Sequence, residues 1–396
     1  MTDDELIAET RAFLAANWAP GRKSSGEAYG RHPDSDFLQR VLDAGFAVPT
    51  WPRESWGRGL SAAQGKLIER EFAAAGAPGA GQDRSNLWAN TAAAHAQPDF
   101  RSHIVPLLLT GRVGMCLLYS EPGAGSDLAG VRTRADRDGD DYVINGQKVW
   151  TSGAADADYG MLICRTDWDV PKHKGLSFFF LPMQQPGIDV RPLRQITDEA
   201  HFNEVFITDA RVPAANMLGK PGDGWRVLMT ALAYERSVMG DAARGPRSGK
   251  AGPKGDAALV ELAREAGMLE DPVVRQEIAR VTAYKILNRL NNARAKADMA
   301  QGNSSPIMSL GKLAMSRILH SEAALRTRLL GPQSMLEGPQ HPCAEDANFL
   351  TLNAYFTSIG GGTDQIQRNI IGERVLGLPK EPELDRELPF REVKAG

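Results

Sequence analysis

Seven short runs, apolar or alternating, occupy residues 113–222, and turn residues but no helical pattern separate them. They lie at 115–119, 131–135, 142–150, 161–165, 176–181, 188–193 and 204–208. Runs of this length and period read as strands. Without helices between them they predict a compact antiparallel β domain and not a βαβ array. The sequence Asp138-Gly-Asp-Asp141 between two alternating runs is a hairpin signal.

On both sides the period returns to that of a helix. Residues 3–18, 36–45 and 61–75 carry apolar residues such as Leu6, Leu14, Phe37, Val41, Leu67 and Phe72 at helical spacing, with a Pro/Gly-rich break at 48–59. Further on, Asp271-Pro272 is a helix start, with Asp as N-cap and Pro at the first helical position. Val274, Ile278, Val281, Tyr284 and Leu287 follow as one stripe, and Ser305-Pro306 repeats the start before Leu310, Leu313 and Ile318. The Gly/Pro/Lys-rich stretch 244–256 reads as a connecting loop. A chain of 396 residues exceeds what one core usually supports, about 250–300. The expected organisation is α+β: an N-terminal helical domain (1–112), a central β domain (113–222) and a C-terminal helical domain (223–396).

Composition narrows the function classes. With 24% charged residues and a net charge of -3, no basic field argues for nucleic acid. The longest apolar runs, 104–109 and 176–181, are too short to span a bilayer. The acidic start, Met1-Thr-Asp-Asp-Glu-Leu6, has neither the basic head of a secretory signal nor the Arg-rich character of a transit peptide, so a cytoplasmic location is expected. Cys116, Cys164 and Cys343 are scattered without CxxC spacing, which argues against a zinc site or a disulfide framework.

Two glycine-rich stretches admit either a structural or a functional reading. Glu121-Pro-Gly-Ala-Gly-Ser-Asp127 has the wrong spacing for a dinucleotide fingerprint; it is a strand-closing turn or a backbone cradle for an anion, with Ser126 assisting. Gly360-Gly-Gly362-Thr-Asp precedes a helical pattern and is a linker or an anion site at a helix start. A third feature is one helix stripe, Trp225, Leu228, Leu232, Glu235 and Met239, spaced three, four, three and four. Glu235 stands where an aliphatic residue belongs. A carboxylate there is ion-paired, turned to solvent where the stripe rotates outward, or a general base in a partly dry cavity.

Taken together, Leu118-Tyr-Ser-Glu-Pro-Gly-Ala-Gly-Ser-Asp-Leu128, Asn145-Gly-Gln-Lys-Val-Trp-Thr-Ser-Gly153, Tyr234-Glu-Arg236 and Gly362-Thr-Asp-Gln-Ile-Gln-Arg368 resemble the acyl-CoA dehydrogenase family, in the family's order and over most of the chain. Trp51-Pro and Gly57-Arg-Gly-Leu-Ser61 add a weaker match. The resemblance implies a helical domain, a β-barrel domain and a helical bundle, with FAD held between the β domain and the C-terminal helices. By motif position, Leu117 backbone and the Ser120 hydroxyl should meet the isoalloxazine. Trp150 should cover it, with Thr151 beside it and Ser152 near N5. Ser126 should lie near the pyrophosphate or bound CoA. Thr363 and Gln365 should touch the cofactor, and Arg236 should orient the acyl-CoA. The family's Arg-x-x-Phe element is not found, the region around Arg264 is no match, and Gln276 aligns only with a neighbouring glutamine.

Many members carry their catalytic glutamate where this chain has Gly361; a minority place it on the helix before the matching arginine, as in Tyr234-Glu235-Arg236. The resemblance therefore implies dehydrogenation of an acyl-CoA to the trans-2-enoyl-CoA. Glu235 would be the α-proton base, Gly361 N–H a donor to the thioester carbonyl, flavin N5 the hydride acceptor and an electron-transfer flavoprotein the next acceptor. A homo-tetramer or dimer is implied. Gly361 also keeps open a half-site subunit of a mixed tetramer, and the fold is shared with flavin monooxygenases.

Overall fold

The computed structural model describes residues 1–22, 24, 31–239, 257–300, 307–383 and 385–393; within them the side chains of 235–239, 296, 299, 300, 308 and 309 lie outside the description. The described residues form two compact units, Met1–Gln195 with Glu199–Val238 and Glu383–Gly396, and Ile196–Asp198 with Met239–Pro382.

The first unit opens with six helices, α1 (Asp3–Asn17), α2 (Ser35–Asp43), α3 (Ala62–Ala75), α4 (Gln82–Ser85), α5 (Leu87–His95) and α6 (Pro98–Leu109). Local chemistry sets their starts. Thr2 with Glu5 and Ser61 with Gln64 form reciprocal capping boxes that satisfy otherwise orphaned amides of α1 and α3. Strands β1 (Met115–Leu118), β2 (Arg134–Asp138), β3 (Asp141–Ser152), β4 (Tyr159–Arg165), β5 (Leu176–Pro182), β6 (Ile188–Leu193) and β7 (Phe202–Pro213) follow, and α7 (Gly224–Met239) closes the series.

The strands make one sheet in the order β1-β4-β2-β3-β7-β6, with β5 on the other side of β4. The β2–β3, β3–β7, β4–β5 and β6–β7 pairs are antiparallel, and the predicted hairpin closes with Asp138 opposite Asp141. The sheet is not wholly antiparallel, however: β1 runs parallel to β4, Met115 to Leu118 facing Tyr159 to Leu162, and β2 meets β4 in parallel at Arg134–Arg165. The β2–β3 hairpin lies between β1 and β4 in the chain and serves as the crossover that a parallel pair requires.

Both faces of β4 and β5 are buried, which explains their unbroken apolar runs. Met161, Ile163, Leu176, Phe178 and Phe180 join Leu6, Phe37, Val41, Ile68 and Phe72 in the helical core. Their alternates Leu162, Cys164, Phe179 and Leu181 form a second core with Cys116, Ile144, Val205 and Val212. Cys116 and Cys164 act as small apolar residues. Burial raises both thiols, that of Cys164 up to about 12, so neither ionises readily.

Gly146 shows why one motif glycine is needed. A Cβ there would lie 2.4 Å from Thr133 Oγ1 and 2.8 Å from Thr133 Cα. Gly146→Ala is expected to destabilise the fold by about 1–3 kcal/mol, the usual cost of overpacking. The urea midpoint reads this, and an unmoved midpoint would mean Thr133 yields without cost.

The second unit contains α8 (Ala258–Glu265), α9 (Pro272–Ala300), α10 (Met308–Leu330), α11 (Pro342–Ile359) and α12 (Asp364–Arg374). Asp271 Oδ1 accepts from the amides of Val273 and Val274, so the expected N-cap is in place. Val274, Ile278 and Val281 enter a core with Leu259, Leu262, Leu325 and Leu329. The predicted stripe then leaves the core: Leu287 is 54% exposed, while the next buried positions of α9 are Asn288 and Ala295, so the buried line passes one residue beyond the predicted one. The expected start at Ser305-Pro306 and the loop at 244–256 lie outside the described residues. Among described residues, no helix is long and apolar enough to cross a membrane.

Candidate active site

The two longest family-like motifs are joined by one buried ion pair. Lys148, on β3, is fully buried and donates to Glu121 Oε1 (2.8 Å), Tyr119 O (3.0 Å) and Ile163 O (2.7 Å). All three ammonium protons are thus used. Glu121 also accepts from the amides of Arg132 (2.7 Å) and Thr133 (2.9 Å). Burial alone would raise the Glu121 carboxyl, but the Lys148 charge and these donors outweigh it and hold its pKa below the usual carboxylate range. For Lys148 burial wins, and its pKa is lowered despite Glu121. Neither residue was singled out by sequence. The only signal was a lysine at an inward position of an alternating run.

The pair fixes the start of the Glu121–Asp127 loop. Beyond it, Gly123 and Gly125 have open space around them, and Ser126 is exposed. Asp127 pairs with Lys172 at 3.2 Å. Next to this loop, Val149 N donates to Ser120 O (2.9 Å), aligning 117–120 with the end of β3.

That end of β3 is irregular. Lys148 faces Val205 and Thr151 faces Asn203, so two residues, Val149 and Trp150, oppose one on β7. This is a bulge, which re-aims side chains. Trp150 sits there at φ 62°, a left-handed conformation uncommon for a bulky residue; the residue is 61% exposed and its indole is edge-on to Phe202. Asn203 Nδ2 bonds Thr151 O (2.9 Å) and secures the distortion. The first unit therefore brings together Leu117, Ser120, Trp150, Thr151 and Ser152. Thr151 is buried with its hydroxyl unpartnered, while Leu117, Ser120 and Ser152 are half-buried.

On α7 the core line runs through Val227, Leu228 and Ala231, with Trp225 and Leu232 half-buried at its flanks. The predicted stripe is thus turned slightly from the observed one. Glu235 and Arg236 belong to α7, but their side chains lie outside the description.

In the second unit, Gly361 and Gly362 have φ 66° and 85°, and Thr363 caps α12 through Ile366 N (3.2 Å). Gln365 and Gln276 are exposed. Asp364, which sequence did not single out, accepts from Ser316 Oγ (2.7 Å) and Lys312 Nζ (3.2 Å) and ties the start of α12 to α10.

Residues 116–210 match the family model "Acyl-CoA dehydrogenase, middle domain", and residues 222–376 match "Acyl-CoA dehydrogenase, C-terminal domain". The chain belongs to the acyl-CoA dehydrogenase family and is an oxidoreductase acting on acyl-CoA. It is 37% identical to acyl-CoA dehydrogenase IpdE1 of Mycobacterium tuberculosis over 96% of this chain and 98% of that protein. Among solved structures it resembles the Tcur3481-Tcur3483 steroid ACAD (28% identity, TM-score 0.70, 96% of this chain and 98% of that one). It also resembles the ChsE4-ChsE5 complex from Mycobacterium tuberculosis (29% identity, TM-score 0.66, 96% and 98%).

Proposed function

We propose that this chain uses FAD to oxidise an acyl-CoA to its trans-2-enoyl-CoA, with Glu235 as the α-proton base. Trp150 is the observation that carries this reading. A bulky residue held at positive φ, with its indole turned outward beside the hydroxyls of Ser120 and Ser152, fits a flat ring with a polar rim. When bound, FAD would supply the acceptor for the β-hydride.

The chain's own residues account for the rest. Glu235 would take the α-proton while the Gly361 N–H hydrogen-bonds the thioester carbonyl and stabilises the developing charge. Gly361 supports placing the base on α7 in a second way. At φ 66° any other residue is strained by about 1–2 kcal/mol, so backbone as well as side chain disfavours a glutamate there. Arg236 would orient polar groups of the substrate. Leu117 and Thr151 would complete the ring contacts, Ser126 would face a phosphate, and Thr363, Gln365 and Gln276 would provide the remaining cofactor contacts. Electrons would leave to an electron-transfer flavoprotein. The likeness to a protein titled a steroid ACAD supports a bulky polycyclic acyl group.

A second reading, a subunit that needs a different partner chain, is favoured by Gly361 and by likeness to two-component assemblies. One experiment separates the two. The chain is produced alone, its visible spectrum is recorded, and short, branched and steroid acyl-CoA thioesters are screened by flavin bleaching. A yellow protein bleached by bulky thioesters is expected. A colourless chain that gains activity only with a second polypeptide would favour the mixed assembly.

A further inference from the structure

Residues 385–393 belong to the first unit, and nothing in the proposed chemistry uses them. They lie along the turn after β4. Phe390 N donates to Val170 O (3.0 Å), Arg391 N donates to Trp168 O (3.0 Å), Pro389 bridges Pro171, and Arg391 pairs with Asp169. Phe390 is the segment's one fully buried residue; its ring lies 5.5 Å from that of Trp168 and under the guanidiniums of Arg165 (3.3 Å) and Arg132 (5.0 Å).

Both cations lead back to the glycine-rich loop. Arg165 is fully buried, and burial pulls its pKa down to about 10. It donates to the carbonyls of Ala129 (2.7 Å), Val131 (3.2 Å) and Lys172 (3.0 Å). Lys172 in turn holds Asp127, the loop's far end. Arg132 holds Glu121, the near end, through its amide and reaches Val393 O (3.4 Å) through its side chain. Between these anchors Ala124 is buried and exchanges backbone hydrogen bonds with Glu121 (2.9 and 3.0 Å), while Gly125 and Ser126 are exposed, so the shape of that exposed stretch depends on its two ends. Both ends converge on one aromatic ring.

We propose that the C-terminal strap 385–393, through Phe390, is a positioning element that holds the Glu121–Asp127 loop in the form that binds a phosphate-bearing ligand. This rests on the reading of Ser126 given above. Without the ring, the desolvated Arg165 guanidinium loses the face it lies on and is free to turn toward water. Ala129, Val131 and Lys172 then lose their common donor, and the loop gains alternative conformations that binding must remove.

The test uses the full chain carrying Phe390→Ala, with Phe390→Leu as the variant that keeps an apolar plug. Amide exchange in 121–132 should accelerate, and the Kd for FAD, for coenzyme A or for both should rise about tenfold, a change of the size that one modest interaction accounts for. KM should rise with kcat little changed, and Phe390→Leu should recover most of the loss. The FAD and coenzyme A arms identify which phosphate the loop faces. Lys172→Met severs only the Asp127 tether and should weaken binding in the same direction, which covers the case of a Phe390→Ala chain that folds poorly. Faster exchange confined to 385–393 would overturn the proposal, as would a faster loop with both affinities unchanged. Neither outcome bears on Glu235, whose role is read from flavin reduction and not from loop exchange.

Discussion

Glu235→Gln is expected to leave FAD bound while slowing flavin reduction by acyl-CoA at least ~100-fold, the low end of what a positioned general base contributes. The amide matches the carboxylate in size and keeps its capacity to accept hydrogen bonds, so cofactor affinity has little reason to change. What it cannot do is take a proton. An α-proton of a thioester is weakly acidic, and stabilising the developing charge without a base completes only half of the transfer. The residue belongs to α7, the helix that carries the fully buried Leu228 and Ala231. Stopped-flow bleaching of the oxidised flavin under anaerobic conditions gives the rate directly. Reduction at a near-native rate would remove Glu235 from the mechanism, and the fold would then have to use another base or none.

The strand and helix segments are legible in the sequence, and the reasons are local. Strand and helix segments declare themselves through period, and caps such as Ser61 and Asp271 through side chains that bond the nearest free amides. What escaped was set by partners distant in sequence. The parallel alignment of β1 with β4 depends on where a hairpin folds back, which neither strand encodes. Trp150 gave no sign of positive φ, because the usual sign is a glycine; here the conformation is imposed by the bulge and by Asn203. The stripe on α7 was displaced by small residues: Ala231 is fully buried although a hydrophobic pattern gives it little weight. Leu287 fits the α9 period and is nevertheless exposed, because the buried line continues through Asn288 and Ala295, a polar and a small residue that a hydrophobic pattern passes over. The buried ion pair that joins the first two motifs, Lys148 to Glu121, was not legible in the sequence, because its partners lie 27 residues apart.

That pair sets the second large effect. Lys148→Met should destabilise the protein by about 3–5 kcal/mol, because it strands a buried carboxylate rather than merely deleting a favourable contact. The double variant Lys148→Met with Glu121→Leu should recover part of that loss, since no charge is stranded, while the amides of Arg132 and Thr133 and the carbonyls of Tyr119 and Ile163 still lose their partners. The pH dependence tests the same account with the opposite sign in two proteins. In the native chain the Glu121 pKa lies below its ordinary value, so its contribution is complete above the usual carboxylate range and fades as pH falls through the folded pKa. In Lys148→Met, burial is left without its compensating cation, so the Glu121 pKa should move above the ordinary value. Stability tied to this group should then be greatest in acid and decline as pH rises past the usual range. Urea midpoints for both proteins between mildly acidic and neutral pH would therefore converge on acidification and separate toward neutrality. If the gap between them stayed constant across that range, Glu121 would titrate alike in both proteins, and the charge argument for this pair would fail.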